Sequence, residues 1–312
     1  MDFRQIKYFI AIAEHGSLSA ASDVIHIAQP ALSTQISNLE SELGVMLFNR
    51  HGRGVTLTPA GKTFLKHAYR IRDEITAAKN AVMNTSSDGA GIVYLGLPMT
   101  TSTVLAVPII EQVRKAYPLI DLRIVDGMSA DVCSWLLEGR LDVAVLYEAH
   151  NSIAKSAIPL LEDELYLIGL KGSELEGLDE IEFADLAKFP LIASSGPHAL
   201  RRLLDETALR LGIGLNYVHV IDSIPQLRGL VLRDAGYTVL PRIAFAEFPN
   251  SDRLRFVRLK NPDLRLRSWL ALTPRREASH AATCVHSLIL KTLFDLVEGG
   301  RWPGGVMAKA ES

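Results

Sequence analysis

Hydrophobic residues from His26 to just beyond Glu40 recur with the period of a helix that buries one face. In the stretch HIAQPALSTQISNLE and the residues after it, the apolar positions are spaced 4, 3 and 4 residues apart: Leu32, Ile36, Leu39 and Leu43. The opposite face is short and uncharged, with Pro30, Thr34, Ser37 and Ser41, flanked by Ser33 and Asn38. Proline is tolerated in the first helical turn, where its missing N–H would be unpaired anyway. Pro30 therefore predicts the start of a helix.

A shorter helix is predicted immediately before this one, in GSLSAASDVIH. Ser17 is the expected N-cap, and the apolar stripe that follows it is Leu18, Ala21 and Ile25. Only HIAQ separates this helix from Pro30. Before both, a first helix is expected to bury Ile6, Phe9, Ile10 and Ala13. Two short helices joined this tightly predict a helix-turn-helix.

The segment LFNRHGRGVTLT predicts a β-hairpin with Arg53 at the tip of its glycine-rich turn. The formal net charge of the chain is −2, yet no Asp or Glu lies between Gly44 and Arg72, where six basic residues fall. A basic hairpin beside a helix-turn-helix is a wing. Short hydroxyls and amides can approach base edges in the major groove, while wing arginines attract phosphates. The pattern therefore predicts double-stranded DNA as a partner.

A long helix is predicted after the wing, with Thr58 as its N-cap and Pro59 in its first turn. Its apolar stripe is spaced 4, 3, 4, 3 and 4 residues apart: Phe64, Ala68, Ile71, Ile75, Ala78 and Val82. Such a stripe could pack on the body of its own chain or on a second copy. We favour a dimerising helix, because helix-turn-helix proteins usually read paired half-sites as dimers. SSDGAG then predicts a flexible joint.

The remaining chain repeats one order of elements: strand, helix, strand, helix, strand, first from GIVYLGL to LDVAVLY and again from FPLIAS to GYTVLP. Two βαβαβ units predict an α/β fold with two doubly wound lobes, like that of a periplasmic binding protein. We expect the following domains: a winged helix-turn-helix, 1–58; a linker helix and hinge, 59–88; an effector domain, 89–300; and a flexible tail, 301–312. Within the effector domain, lobe I would span about 89–163 and 268–300, and lobe II about 164–267.

Ligands in such sheets bind beyond the carboxyl ends of the strands, at helix N-termini. Hydroxyl residues occur at the equivalent loops of both lobes: Thr100, Thr101, Ser102, Ser129, Ser194, Ser195 and Ser223. Each could be only a helix cap, but their clustering favours a cleft for a small polar or anionic effector. Arg201 and Arg202 would add positive charge if they face that cleft.

Other functions find little support. No GxSxG motif is present, and the glycines of GIG at Gly212 follow a helix, where a dinucleotide site needs a strand. His198 near Ser195 is better explained by a polar helix start than by a base and its nucleophile. We expect no enzymatic activity, no cofactor and no metal, and we interpret the acidic stretch from Glu162 to Asp185 as a solvated face. An α/β domain with binding or catalytic activity, tethered to DNA, is the alternative.

The location of the protein can also be predicted. No apolar run reaches the ~18 residues that a membrane span needs, and the first residues lack the features of a signal peptide. The two cysteines, Cys133 and Cys284, are isolated in sequence. Such usage suits a reducing cytoplasm, where we expect the protein to act.

The chain resembles the LysR-type transcriptional regulators over nearly its whole length. The resemblance is most specific in IKYFIAIAEHGSLSAAS, QPALSTQISNLESELGVMLFNR and GVTLTPAGK. HIAQPALS is similar to the branch that includes nitrogen-assimilation regulators. The resemblance implies a homotetramer built from dimers that binds an interrupted palindrome near a promoter. It also implies an inducer in the cleft that alters DNA bending and recruits or releases RNA polymerase.

The same resemblance assigns roles to individual residues. It implies base contacts by Gln29, Pro30, Ser33 and Thr34, with Ser37 and Asn38 nearby, and wing contacts by Arg50 and Arg53. Many relatives have a basic residue where Thr34 stands, so the family does not define its role. The effector-binding hydroxyls fall on Thr100, Thr101 and Ser102, with Ser129 opposite; Ser195 and Ser223 are the corresponding candidates in lobe II.

Overall fold

The computed structural model describes residues 1–51, 54–83, 90–148, 153 and 157–308. Within these ranges, the description does not extend to the side chains at positions 50, 66, 70, 73, 74, 76, 77 and 79–83. The chain forms two compact units, Met1–Met83 and Asn84–Ser312. Among the described residues, no helix combines the length and the apolar character that a membrane crossing requires.

The first unit begins with the three helices that the sequence predicts: α1 (Phe3–His15), α2 (Leu18–Ile25) and α3 (Gln29–Leu43). Ser17 caps α2, because its hydroxyl accepts a hydrogen bond from the N–H of Ala20. Pro30 lies in the first turn of α3, as predicted. The helix-turn-helix is therefore confirmed.

The apolar stripe of α3 packs against α1, as its spacing predicts. Leu32, Ile36 and Leu39 are buried together with Phe9 of α1, whereas Leu43 at the end of α3 is exposed. The polar face of α3 is thereby turned away from the core of the unit.

The wing is a two-stranded antiparallel sheet of β1 (Phe48–His51) and β2 (Gly54–Leu57). The N–H of Val55 donates a hydrogen bond to the carbonyl oxygen of Gly16, 2.9 Å away. A Cβ at Gly54 would lie 2.5 Å from that oxygen, and Gly54 has a φ of +138°. Only glycine permits both the close approach and this conformation. The wing is thus held against the turn between α1 and α2.

Helix α4 (Pro59–Met83) follows, and Thr58 caps it by accepting a hydrogen bond from the N–H of Gly61. The first half of its apolar stripe, Phe64, Ala68 and Ile71, packs on the core of the same unit. This half therefore follows the alternative in which the stripe packs on its own chain. Farther along, Ile75 is half-buried and Ala78 is exposed, while the side chain of Val82 lies outside the described residues.

Lobe I of the second unit contains the first predicted βαβαβ repeat. Its elements are β3 (Gly91–Pro98), α5 (Met99–Ala116), β4 (Ile120–Gly127), α6 (Ser129–Leu137) and β5 (Val143–Leu146). The strands are parallel in the order β4-β3-β5. Their carboxyl ends therefore meet at one edge, where α5 and α6 begin.

The long strand β6 (Ile158–Leu170) and the short β7 (Glu180–Glu182) precede the second repeat. That repeat consists of β8 (Leu191–Ala193), α7 (Ala199–Leu211), β9 (Tyr217–Val220), α8 (Ile224–Val231) and β10 (Thr238–Pro241). β8 pairs with β9 in parallel and forms a parallel bridge to Tyr237, next to β10. The second βαβαβ repeat is confirmed as lobe II.

Strand β6, which the sequence analysis missed, belongs to both lobes. Its first half pairs with β12 (Arg265–Leu272), which also pairs with β5 of lobe I. Its second half pairs with β10 and with β11 (Leu254–Lys260). Helix α9 (His280–Glu298) then packs into the lobe I core. The lobes are therefore joined by continuous strands.

Residues 301–308 differ from the loose tail that the sequence predicts for 301–312. Strand β13 (Gly305–Met307) pairs with β6, and Trp302 is buried. The indole Nε1 of Trp302 donates a hydrogen bond of 2.8 Å to Asp163. Burying one large aromatic side chain and pairing a strand orders a segment that has no periodic pattern of its own. Residues 309–312 lie outside the described ranges.

Candidate DNA-binding surface and inter-lobe cleft

The polar face of α3 is accessible, as its predicted role requires. Its exposed members are Gln29, Pro30, Thr34, Ser37 and Asn38, while Ser33 is half-buried. No charged residue occurs among these six. An exposed helix face of this composition can enter a major groove and approach base edges.

The hydroxyl of Thr34 donates a hydrogen bond to the carbonyl oxygen of Pro30, 3.0 Å away. A threonine side chain commonly bonds back to the preceding helical turn in this way. Its donor is then used within the helix, while the oxygen lone pairs and the methyl group remain available. Such a face suits an amino group or a thymine methyl.

Glu40 positions the wing, a role that the sequence analysis did not assign. It is buried, and its Oε1 accepts hydrogen bonds from the N–H groups of Leu47 and Phe48, at 2.7 and 3.1 Å. These bonds tie the end of α3 to the start of β1. The sequence does hold a sign of this role: Glu40 comes four residues after Ile36, which places a charged residue on the buried stripe of α3.

The wing arginines lie largely outside the described part of the chain. Arg53 and its neighbour Gly52 fall outside it, as does the side chain of Arg50. Their predicted phosphate contacts stay predictions.

The helix starts of both lobes meet at a narrow cleft. Its cavity volume is about 50 Å³, well below the roughly 300–1,000 Å³ of most ligand pockets. Two of the predicted effector residues line it, Thr100 and Ser129. Ser194, also among the hydroxyl residues that predicted the cleft, lies beside them, together with Tyr147 and His198. A ligand of several heavy atoms would have to part the lobes to bind here.

Tyr147 organises the first turn of α5. Its buried hydroxyl lies 2.7 Å from that of Thr100 and 2.9 Å from that of Thr101. Burial and the nearby Asp163 carboxyl raise the pKa of Tyr147, so the phenol stays protonated. Thr101 is fully buried and does not line the cleft. Its hydroxyl can therefore influence a ligand only through Tyr147.

Two contacts join the lobes at the cleft. The hydroxyl of Ser129 accepts a hydrogen bond from the N–H of Ala199, at 3.2 Å. Arg202 of α7 forms an ion pair with Glu148, which follows β5. Both contacts span from lobe I to lobe II, so any opening of the cleft breaks them.

Besides Thr101, three of the predicted effector residues do not line the cleft: Ser102, Ser195 and Ser223. Ser195 is engaged elsewhere, because its N–H and its hydroxyl each donate a hydrogen bond of 2.7 Å to Asp222. Partial burial raises the pKa of Asp222, but these bonds and the nearby His198 outweigh it, so the pKa is lowered overall. Ser223 precedes α8 without a capping bond from its side chain.

His198 contributes an imidazole to the cleft lining. It is buried, and its Nε2 lies 3.4 Å from the carboxylate of Asp222. Its Nδ1 is buried without a partner among the described residues, which makes it available to a ligand. Arg201 does not add charge here, since it bonds to Asp205 and to the carbonyl of Ser194 and stacks on Tyr217.

Asp163 departs from the predicted solvated acidic face. It is buried on β6, with Oδ1 bonded to Trp302 and Oδ2 without a partner among the described residues. Burial raises its pKa to about 7, although the bond from Trp302 lowers it in part. A carboxyl group that titrates near neutrality thus lies on the strand shared by the lobes.

Replacing Asp163 with asparagine is expected to stabilise the protein above neutral pH. Because its folded pKa exceeds the ordinary value, the native state binds the proton more tightly than the unfolded chain does. The free energy of unfolding therefore falls as pH rises from about 4 to about 7 and then stays level. Each pKa unit corresponds to about 1.4 kcal/mol, so the gain is a few kcal/mol at most. Denaturant unfolding of the unaltered protein and of Asp163→Asn across this pH range measures the gain in the free energy of unfolding. A gain that does not change with pH would contradict the raised pKa of Asp163.

Comparison with known proteins agrees with both parts of the chain. The family model for bacterial regulatory helix-turn-helix proteins of the lysR family matches residues 3–62, and that for the LysR substrate binding domain matches residues 86–293. The chain is 32% identical to the nitrogen assimilation regulatory protein nac of Klebsiella aerogenes, over 93% of this chain and 94% of that protein. It is 27% identical to the transcriptional dual regulator OxyR of Escherichia coli K12, over 88% and 90%.

Solved structures show the same fold. The crystal structure of full-length CbnR, a LysR family regulator, in complex with its target DNA matches with a TM-score of 0.69 at 20% identity, covering 94% of this chain and 100% of that one. HinK, a LysR family regulator of Pseudomonas aeruginosa, matches with a TM-score of 0.56 at 26% identity, covering 94% and 98%. On these matches, the chain belongs to the LysR-type transcriptional regulators, with an N-terminal DNA-binding helix-turn-helix and a C-terminal effector-binding domain.

Proposed function

We propose that the exposed face of α3 reads operator bases and that the wing arginines contact phosphates. Gln29, Pro30, Ser33 and Thr34 would lie closest to the bases, with Ser37 and Asn38 beside them. Arg50 and Arg53 would supply the positive charge that α3 lacks. The observation that carries this proposal is the uncharged polar face of α3, which is largely exposed and lies opposite the buried Leu32, Ile36 and Leu39.

The protein would act in the cytoplasm as a tetramer built from dimers, on an operator that is an interrupted palindrome. On the α4 stripe, Ile75 is only half-buried and Ala78 is exposed, which supports dimerisation through that helix. Exposed apolar residues in both lobes support a second contact, namely Val107 and Ile110 on α5 and Leu209 and Leu211 on α7. Effector binding would change how the tetramer bends DNA and contacts RNA polymerase. Similarity to nac makes nitrogen-assimilation genes the first targets to examine.

The effector would be a small polar or anionic molecule held in the inter-lobe cleft. Thr100, Ser129 and the free Nδ1 of His198 offer hydrogen bonds there. Thr101 would act through Tyr147, and Ser102, Ser195 and Ser223 would contribute only if the lobes rearrange. Since no Lys or Arg lies among the described residues of the lining, a negative charge would be met by hydroxyls, His198 and helix N-termini.

The Thr100→Val variant tests this site. Losing one buried hydroxyl should cost roughly 1–3 kcal/mol of effector affinity, which shifts the induction curve to higher inducer while operator affinity without inducer is unchanged. Chromatin immunoprecipitation would identify a target promoter, and a reporter driven by it would record induction. Thr283→Val makes the same chemical change at an exposed position of α9 that does not line the cleft, and it is the matched control. Normal sensitivity in Thr100→Val and in Ser129→Ala would exclude this pocket.

A further inference from the structure

A second cavity lies between the lobes, separate from the cleft. Its volume is about 550 Å³, within the range typical of small-molecule sites. On the lobe I side, it is lined by α5 from Val104 onward and by the end of α9 at Leu296. The opposite wall comes from lobe II, where the chain follows β10 and enters β11. This cavity and the cleft share no lining residue.

The interior of the cavity is apolar, and its rim is charged with both signs. Phe245 and Leu296 are buried and Phe256 is half-buried, so a hydrophobic group would be well covered. Around them stand two guanidinium groups and two carboxylates, all exposed: Arg242, Arg301, Glu247 and Asp252. Arg242 lies over the ring of Phe256, 5.3 Å from its centroid.

These four charges are left open, whereas several other arginines of the same unit are paired with carboxylates. Arg258, for example, forms ion pairs with Glu164, Glu180 and Asp263. No ion pair with any described residue engages the four rim groups. Two positive and two negative groups around one apolar cavity would repel a simple anion and a simple cation to similar degrees. They complement a molecule that carries both charges.

We propose that this cavity binds an apolar α-amino acid as a second ligand. The carboxylate of the amino acid bonds to the guanidinium groups, where Arg242 and Arg301 offer paired donors. Its ammonium group meets Glu247 and Asp252, and its side chain packs on Phe245 and Phe256. The site is additional to the proposed cleft and does not depend on what binds there.

Such a ligand would contact both lobes at once. Leu296 lies on α9 of lobe I and Arg301 comes just after that helix, whereas Arg242, Glu247 and Phe256 belong to lobe II. Binding would therefore favour whichever arrangement of the lobes brings these groups together. The amino acid would thus modulate the response to the effector in the cleft.

Calorimetric titration of the full-length protein tests the proposal directly. The probes are leucine, methionine and phenylalanine, with isocaproate and isoamylamine as leucine analogues that lack the ammonium or the carboxylate group. We expect at least one of the three amino acids to bind. Each analogue should bind at least about tenfold more weakly than leucine, because each loses one set of charged hydrogen bonds. Arg242→Gln and Glu247→Gln should each weaken amino-acid binding by a similar factor.

Arg253→Gln is the matched control, because Arg253 is exposed nearby but does not line the cavity. It should bind like the unaltered protein. The proposal is overturned if none of the three amino acids binds, or if both analogues bind as tightly as leucine. It is also overturned if Arg242→Gln and Glu247→Gln bind normally, which would place the ligand elsewhere. Because the readout is binding itself, such a failure leaves the reporter test of Thr100→Val unaffected.

Discussion

Replacing Ser37 with glutamate is expected to abolish operator binding. Ser37 is exposed at the middle of the polar face of α3, opposite the buried Ile36 and Leu39. A carboxylate there would be carried toward the negatively charged phosphates and base acceptors of the groove. Juxtaposing like charges costs several kcal/mol, so we expect affinity to fall by roughly 100-fold or more. Fluorescence anisotropy with a labelled operator at several salt concentrations would measure the loss.

Ser287→Glu provides the control for this variant. Ser287 is an exposed serine on α9, in the second unit of the chain. The substitution makes the same chemical change on a helix that we assign no contact with DNA. Both variants should keep the helical content of the unaltered protein. Equal operator affinity in the two variants would mean that α3 does not read DNA with this face.

Replacing Ile75 with aspartate is expected to prevent dimerisation through α4. Ile75 follows the part of the stripe that packs on the core of its own unit, and it is less covered than Ala68. A charge in an apolar seam would have to be buried without a partner. Sedimentation of the full chain should then show loss of the association that α4 supports. Operator affinity should fall by about 100-fold or more, because two linked half-sites no longer bind together.

His67→Asp is the control that distinguishes a charge within the apolar seam from a charge placed elsewhere on α4. His67 is exposed on α4 and lies off the stripe. That variant should associate and bind DNA nearly normally. Ile71→Asp is a poorer test, since Ile71 packs on the helix-turn-helix core and the unit would be destabilised. An unchanged assembly in Ile75→Asp would show that the chains associate through another surface.

Periodicity was sufficient to predict most of the fold. The stripe of Leu32, Ile36 and Leu39 predicted α3, and Pro30 marked its first turn because proline is best tolerated there. The repeated order of strands and helices predicted both lobes, since each amphipathic helix must bury its apolar face against a sheet. Long-range pairing was not predictable in this way. Strand β6 owes its length to partners in both lobes, and residues 301–308 are ordered by contacts with β6.

The candidate cleft was predicted only in part, for reasons of geometry. Successive residues on a helix point about 100° apart, so adjacent hydroxyls in the first turn of α5 cannot all face one cavity. Thr100 lines the cleft while Ser102 does not. Tyr147 carries no sequence signal, because it follows a buried strand whose carboxyl end only the folded sheet brings beside Thr100. Asp163 likewise belongs to an acidic stretch, and only pairing with β12 and β13 buries it.

Selection of binding sites from random DNA by the full-length protein tests the central claim most directly. The account predicts an enriched motif with two inverted half-sites, as expected for paired α3 helices. The Gln29→Ala variant should narrow the affinity gap between that motif and random DNA by about 1–3 kcal/mol at one position in each half-site. No enriched motif, or an identical motif and affinity gap for Gln29→Ala, would contradict the claim that α3 reads the operator through Gln29.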